Sequence, residues 1–159
     1  MSSKTLSGLL RAAVAASGLC ALYIALTVIP SLGKSIIELN PEFAHWYWPW
    51  LIFCWLVSLP CFAILGLVWK ASGAIRDETI FTLKTAKLIK AGAILLFCDA
   101  GFFFTGNVVL SLLGMNHPGI LLASLLGDIF AVALAVFASI LARYVTKAAE
   151  LQEMSDGTV

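Results

Sequence analysis

Four apolar runs, each long enough to cross a lipid bilayer, dominate this chain. They cover residues 9–30, 49–70, 88–114 and 118–143. A span needs about 20 residues, because each adds about 1.5 Å of rise toward a hydrocarbon core about 30 Å thick. Only 12% of the residues are charged and 61% are hydrophobic, whereas a soluble domain carries about 25% charge. Too little polar surface remains to face water. A length of 159 residues allows one transmembrane domain, 1–159, and no separate soluble one. The predicted fold is all-α: a polytopic membrane protein with four transmembrane helices in an up-down bundle.

The first run, Leu9 to Ile29, follows Lys4 and contains Arg11. That pattern is shared with signal peptides. No small-x-small cleavage site follows it, so it reads as an uncleaved first helix. Ser17, Ala21 and Ala25 recur every four residues and form a stripe where another helix can approach. Pro30 is expected to end this helix. Ser31 to Trp48 then forms the first loop, with Lys34, Glu38 and Glu42 ahead of His45-Trp46-Tyr47-Trp48-Pro49-Trp50. Trp46, Tyr47, Trp48 and Trp50, with Trp69 at the far end of the second run, read as interfacial anchors, since an apolar ring can sit in lipid with its N–H or O–H in water. The functional alternative is an aromatic lid over a ligand.

Pro60 lies at mid-depth in the second run and is expected to kink it, with Ser58 or a neighbouring helix satisfying the freed carbonyl. Ser72-Gly73 is expected to break that helix. Residues 71–87 form the polar loop, Arg76 to Phe81 its turn, and Thr82 is the N-cap of a helix that starts at Leu83. Arg76, Lys84, Lys87 and Lys90 make a basic face suited to anionic headgroups or to an acidic partner. The tail, 144–159, continues as a polar helix to Met154, pairs Lys147 with Glu150, and ends loosely from Ser155.

Nine of the ten lysines and arginines fall at the two ends or around the 71–87 loop, and only Lys34 falls in the first loop. The positive-inside rule therefore places both termini and the 71–87 loop in the cytoplasm.

The third and fourth runs each carry an acid, Asp99 and Asp128, and turn at Gly114-Met115-Asn116-His117-Pro118. Acids at mid-bilayer are expensive and are functional suspects by default. Gly92, Asp99 and Gly106 are seven apart and share a helix face, with Asn107 on its flank and Phe102, Phe103 and Phe104 around the acid. In the fourth run, Ser124, Asp128, Ala131, Ala135, Ser139 and Ala142 share a packing side, opposite Leu126, Phe130, Leu134, Phe137 and Leu141. The acids are offset by about three residues, or about 5 Å. The cluster Asp99, Asn107, Asp128 and Ser124, with Ser17, reads either as hydrogen-bonded glue joining helices one, three and four, or as a proton- or cation-linked site. Against transport, the chain is short and shows no internal repeat.

Chemistry is otherwise sparse. Cys20, Cys54, Cys61 and Cys98 form no C-x-x-C pair and read as small apolar core residues, not as a disulfide framework. His45 and His117, even with Glu38 and Glu42, lack metal-ligand spacing, and His117 reads as a turn residue. No nucleophile elbow, phosphate loop or cysteine–histidine pair is present. No metal, cofactor, enzymatic activity or direct nucleic-acid contact is expected.

Three places resemble the bacterial family called domain of unknown function 2975, four-helix membrane proteins. One is Ile80-Phe81-Thr82 with Lys87 to Ala91, leading into the third helix. Another is Asp99 through Asn107 followed by Asn116-His117-Pro118-Gly119. The last is Ala148-Ala149-Glu150-Leu151-Gln152-Glu153 with Asp156-Gly157-Thr158-Val159, where Gly157 replaces the usual leucine. Nearly the whole chain is covered. The resemblance implies a multi-pass protein of the bacterial inner membrane with undefined activity and no catalytic residues to carry over. Many members are encoded beside a helix-turn-helix regulator, which implies a sensing or regulatory membrane partner for such a regulator. A homo-oligomer and a small transporter using Asp99 and Asp128 are the other expectations.

Overall fold

The computed structural model describes residues 2–77, 79–115 and 118–156. Glu78, the turn residues Asn116 and His117, and the tail end 157–159 lie outside the described residues. The chain forms α1 (Ser3–Tyr23), a π-helical turn (Ile24–Val28), α2 (Ile29–Leu39), a 3-10 turn (Pro41–Trp46), α3 (Tyr47–Arg76), α4 (Leu83–Leu112) and α5 (Pro118–Asp156). Four helical rods, 3–39, 41–76, 83–112 and 119–155, are long and apolar enough to cross a membrane.

Pro30 does not end the first helix, contrary to the sequence expectation. It sits in the first turn of α2, where a missing N–H is tolerated. The π turn before it carries the adjustment. Ile29 N–H bonds to Ile24 O, one residue further back than in an α-helix. That shift leaves the Ala25 carbonyl facing position 30, where proline has no N–H to give. The indole of Trp55 on α3 supplies the donor: its Nε1–H bonds to Ala25 O at 2.9 Å. The first loop accordingly shrinks to the 3-10 turn. Gly33, on α2, is buried, and a Cβ there would meet the Trp50 ring at 2.8 Å and the Tyr47 ring at 2.9 Å. Two of the expected interfacial anchors are thus also packing residues between helices.

Ser72-Gly73 does not break the second helix either. Helix α3 runs through both Pro60 and Gly73 to Arg76. Ser58 Oγ–H bonds to Cys54 O at 2.8 Å, not to the carbonyl of Leu56 that Pro60 frees. Thr82 caps α4 as its sequence implies, accepting from Thr85 N–H. At the other end Gly114 takes φ +72°. Gly114 N–H bonds to Ser111 O and Met115 N–H to Leu110 O, which together close a Schellman motif.

The rods run up and down and pack in chain order: α1 on α3, α3 on α4, α4 on α5. No Cα of α1 lies within 8 Å of α4 or α5, so the four rods form an open row. The most extensive packing is between α4 and α5. On α5 a line of buried and half-buried positions runs through 121, 124, 128, 131, 135, 138, 142, 145 and 149, with half-buried 146 and 148 beside it. Steps of four and three alternate strictly, the 3.5-residue period of a left-handed coiled coil. Ala138 takes the place expected for Ser139, which is exposed. On α4 the matching seam is Ala86, Ala93, Ala100 and Asn107, all buried. Small residues here let the backbones approach and gain van der Waals contact, the main source of helix association in lipid. Leu126, Phe130, Leu134, Phe137 and Leu141 face outward as expected.

Candidate polar site in the helix row

Helix α4 shows a second buried line, one residue out of phase with the first. Along it Gly92 faces the Leu67 side chain, Asp99 meets Cys61, and Gly106 receives the Phe53 ring. All three partners are on α3. The predicted alignment of Gly92, Asp99 and Gly106 is therefore real, and it is the α3-facing side. Gly106 is needed sterically, since any Cβ there would run into the Phe53 ring. Phe53 in turn stacks on Phe103, with centroids 6.3 Å apart, and leans on Phe102 at 5.6 Å.

Asp99 is 8% exposed and Asp128 is 7% exposed. They lie within electrostatic reach of each other across the α4–α5 interface. Asp99 Oδ2 accepts the Cys61 S–H at 3.7 Å, a thiol that also reaches Val57 O at 3.8 Å. Asp99 Oδ1 and Asp128 Oδ2 have no hydrogen-bond partner among the described residues. Buried carboxylate oxygens without donors are costly in a low-dielectric setting.

The expected network is not assembled. Asn107 is buried, but its Nδ2–H donates to Phe103 O at 2.9 Å on its own helix. Ser124 Oγ–H likewise donates to Leu121 O at 2.8 Å. Ser17 is exposed on α1, which touches neither α4 nor α5. The α1 seam instead uses Val14, Gly18, Ala21 and Ala25, with Gly18 against Leu65. The structure thus buries both acids and leaves Asn107, Ser124 and Ser17 out of their hydrogen bonding. An apolar groove of about 290 Å³ lies between α3 and α5, lined by Leu67, Leu88, Gly92, Leu134 and Phe137 among others, and neither acid opens into it.

The cysteines depart from the sequence reading. All four are free, as expected, but Cys20, Cys61 and Cys98 are exposed and Cys54 is only partly covered. Cys61, although exposed, is the thiol donor to Asp99, a role its spacing did not signal. Among the described residues no group of three or more His, Cys, Asp or Glu side chains could hold a metal ion. The His45 ring lies tilted against Trp46, with centroids 5.2 Å apart, and Trp48 is the most exposed of Trp46, Tyr47, Trp48 and Trp50.

At the end of the row that carries both chain termini, Lys84, Lys87, Lys90 and Arg76 are exposed as expected. Helices α4 and α5 continue together there. Thr85, Ala86, Val145 and Ala149 are all buried, so the coiled-coil seam extends as far as Ala149. The 39-residue α5 is about 58 Å long at 1.5 Å per residue, nearly twice the hydrocarbon thickness.

A family model described as a protein of unknown function (DUF2975) matches residues 31–159. The chain belongs to this family. The match runs from within α2 through α5, and so takes in Asp99, Asp128 and the extended α4–α5 hairpin. No curated protein and no solved structure matches the chain.

Proposed function

We propose that this member of the DUF2975 family is a non-enzymatic membrane protein that presents its α4–α5 extension to a cytoplasmic partner, a DNA-binding regulator of the helix-turn-helix class. The observation that carries the reading is the continuation of the buried α4–α5 seam to Ala149, beyond the end of the apolar run. A paired-helix stub with exposed Lys84, Lys87, Arg143 and Lys147 beside Glu150 and Glu153 is a surface for protein contact rather than for lipid alone. The partner class comes from the family resemblance. The charge asymmetry supports an inner-membrane protein with both termini in the cytoplasm, and a homo-oligomer would cover the open edges of the row. Photocrosslinkers at Lys87 and Lys147 in native membranes test the proposal. Recovery of a helix-turn-helix protein at both sites supports it, and labelling of lipid alone overturns it.

A second reading is favoured by one observation, the two donor-less carboxylate oxygens at Asp99 and Asp128. Under it the chain is a small transporter or channel component moving protons or cations past the pair. Asp99→Asn and Asp128→Asn should then abolish flux into proteoliposomes while the fold persists. Unchanged flux would return the acids to packing.

A further inference from the structure

The two most completely buried polar side chains are Ser7 on α1 and Ser72 on α3, 2% and 0% exposed. Both serve Arg11. Ser7 Oγ–H bonds to Ser72 O at 2.7 Å, locking the helices together. Ser72 Oγ–H bonds to Trp69 O at 2.6 Å. Its hydroxyl proton is thereby committed, and its lone pair accepts Arg11 Nε–H at 2.9 Å. The guanidinium then lies over the Trp69 ring, 5.5 Å from the centroid, a favourable cation–π distance.

The fork is therefore held by one hydrogen bond and one ring, and no acidic side chain among the described residues pairs with it. An arginine used only to join helices would be neutralised by a carboxylate or by several carbonyls. Here the two terminal nitrogens, four of the five N–H donors, are left for another acceptor. Arg11 sits at the terminal end of α1, about 12 Å of rise beyond Ser3. Trp69 and Lys70 mark the same level on α3, and Lys4 is two turns away on the Arg11 face. That level is the headgroup region, where the available acceptors are phosphates. A planar fork matches a phosphate bidentately.

We propose that Arg11, held by Ser72 and Trp69, is a binding site for the phosphate of an anionic phospholipid in the leaflet on the side of the termini. The site binds one lipid, is independent of the acid pair, and differs from the diffuse attraction of Lys84, Lys87 and Lys90.

The test is native mass spectrometry of the full-length protein released from equimolar phosphatidylglycerol and monoglucosyl-diacylglycerol, whose headgroup has no phosphate, of matched chains. Wild type should enrich phosphatidylglycerol about fivefold in its first bound lipid. R11Q should lose that enrichment, and R11K should lose most of it, since an ammonium keeps the charge without the fork. The Lys84→Gln, Lys87→Gln double variant should keep it. Millimolar inorganic phosphate should not displace the lipid; displacement would assign the site to free phosphate and overturn the proposal. Equal enrichment in wild type and R11K would also overturn it. R11K decides the matter even where R11Q fails to fold.

Discussion

Removing the Trp55 indole N–H should destabilise the protein through one backbone carbonyl. Three linked features meet at Ala25: a π turn that hands Ile29 N–H to Ile24 O, a proline at 30 with no N–H, and the 2.9 Å bond from Trp55. Trp55→Phe keeps a ring and removes the donor. An unsatisfied buried carbonyl costs about 1–3 kcal/mol in water-soluble proteins. Inter-helix hydrogen bonds in membranes average about 0.6 and reach about 1.7 kcal/mol. With no alternative donor at position 30, a value of about 1–1.5 kcal/mol is expected for the polar part. Lost ring area adds to the raw effect, so the assay is a double-mutant cycle with Pro30→Ala. Alanine restores an N–H at 30 and gives Ala25 O a partner within its own helix. Equilibrium unfolding in mixed micelles should show that Trp55→Phe costs about 1 kcal/mol less in the Pro30→Ala background. Equal costs in both backgrounds, within about 0.5 kcal/mol, would refute the reasoning and leave Trp55 as packing alone.

Other substitutions separate the seams. Gly106→Ala should cost about 1–3 kcal/mol by overpacking against Phe53, and Phe53→Leu should relieve most of it, read by the same unfolding assay. Ala135→Leu, at a position 0% exposed, should lower stability by a similar amount, whereas Ser139→Leu on the outer face should stay within about 0.5 kcal/mol of wild type. Asp128→Asn should leave the unfolding midpoint unchanged or raise it, since its Oδ2 has no donor to lose. A loss above about 1 kcal/mol would mean the acid is bonded glue after all.

The four spans, the Thr82 cap and the paired faces of α4 were readable because hydropathy and spacing are local properties of the chain. The errors came from period and from contacts through space. Stepping by four along Ser17, Ala21 and Ala25, or to Ser139, follows a straight 3.6-residue helix. Helices that wrap around each other keep a 3.5 period, which moves the seam to Val14, Gly18 and Ala138. Pro30 reads as a stop in sequence because the donor that satisfies the carbonyl it leaves open, Trp55, lies 30 residues beyond Ala25. Ser72-Gly73 looks like a break in sequence for a similar reason. Buried against Ser7 and Arg11, Ser72 is a junction between helices, and nothing in its immediate sequence says so. The acid pair was legible from its residue types. Its isolation from Asn107 and Ser124 was not, because each of those side chains bonds back to its own helix.

The proposed partner surface is the α4–α5 extension. Spin labels placed singly from Ile140 to Glu153 in lipid vesicles, scored for oxygen and for water-soluble relaxant accessibility, test it directly. Oxygen access should give way to water access near Arg143. A helical period should persist through Glu153, with Val145 and Ala149 protected. Uniform water access without a period from Tyr144 onward would contradict the platform. So would continued burial of that segment in lipid.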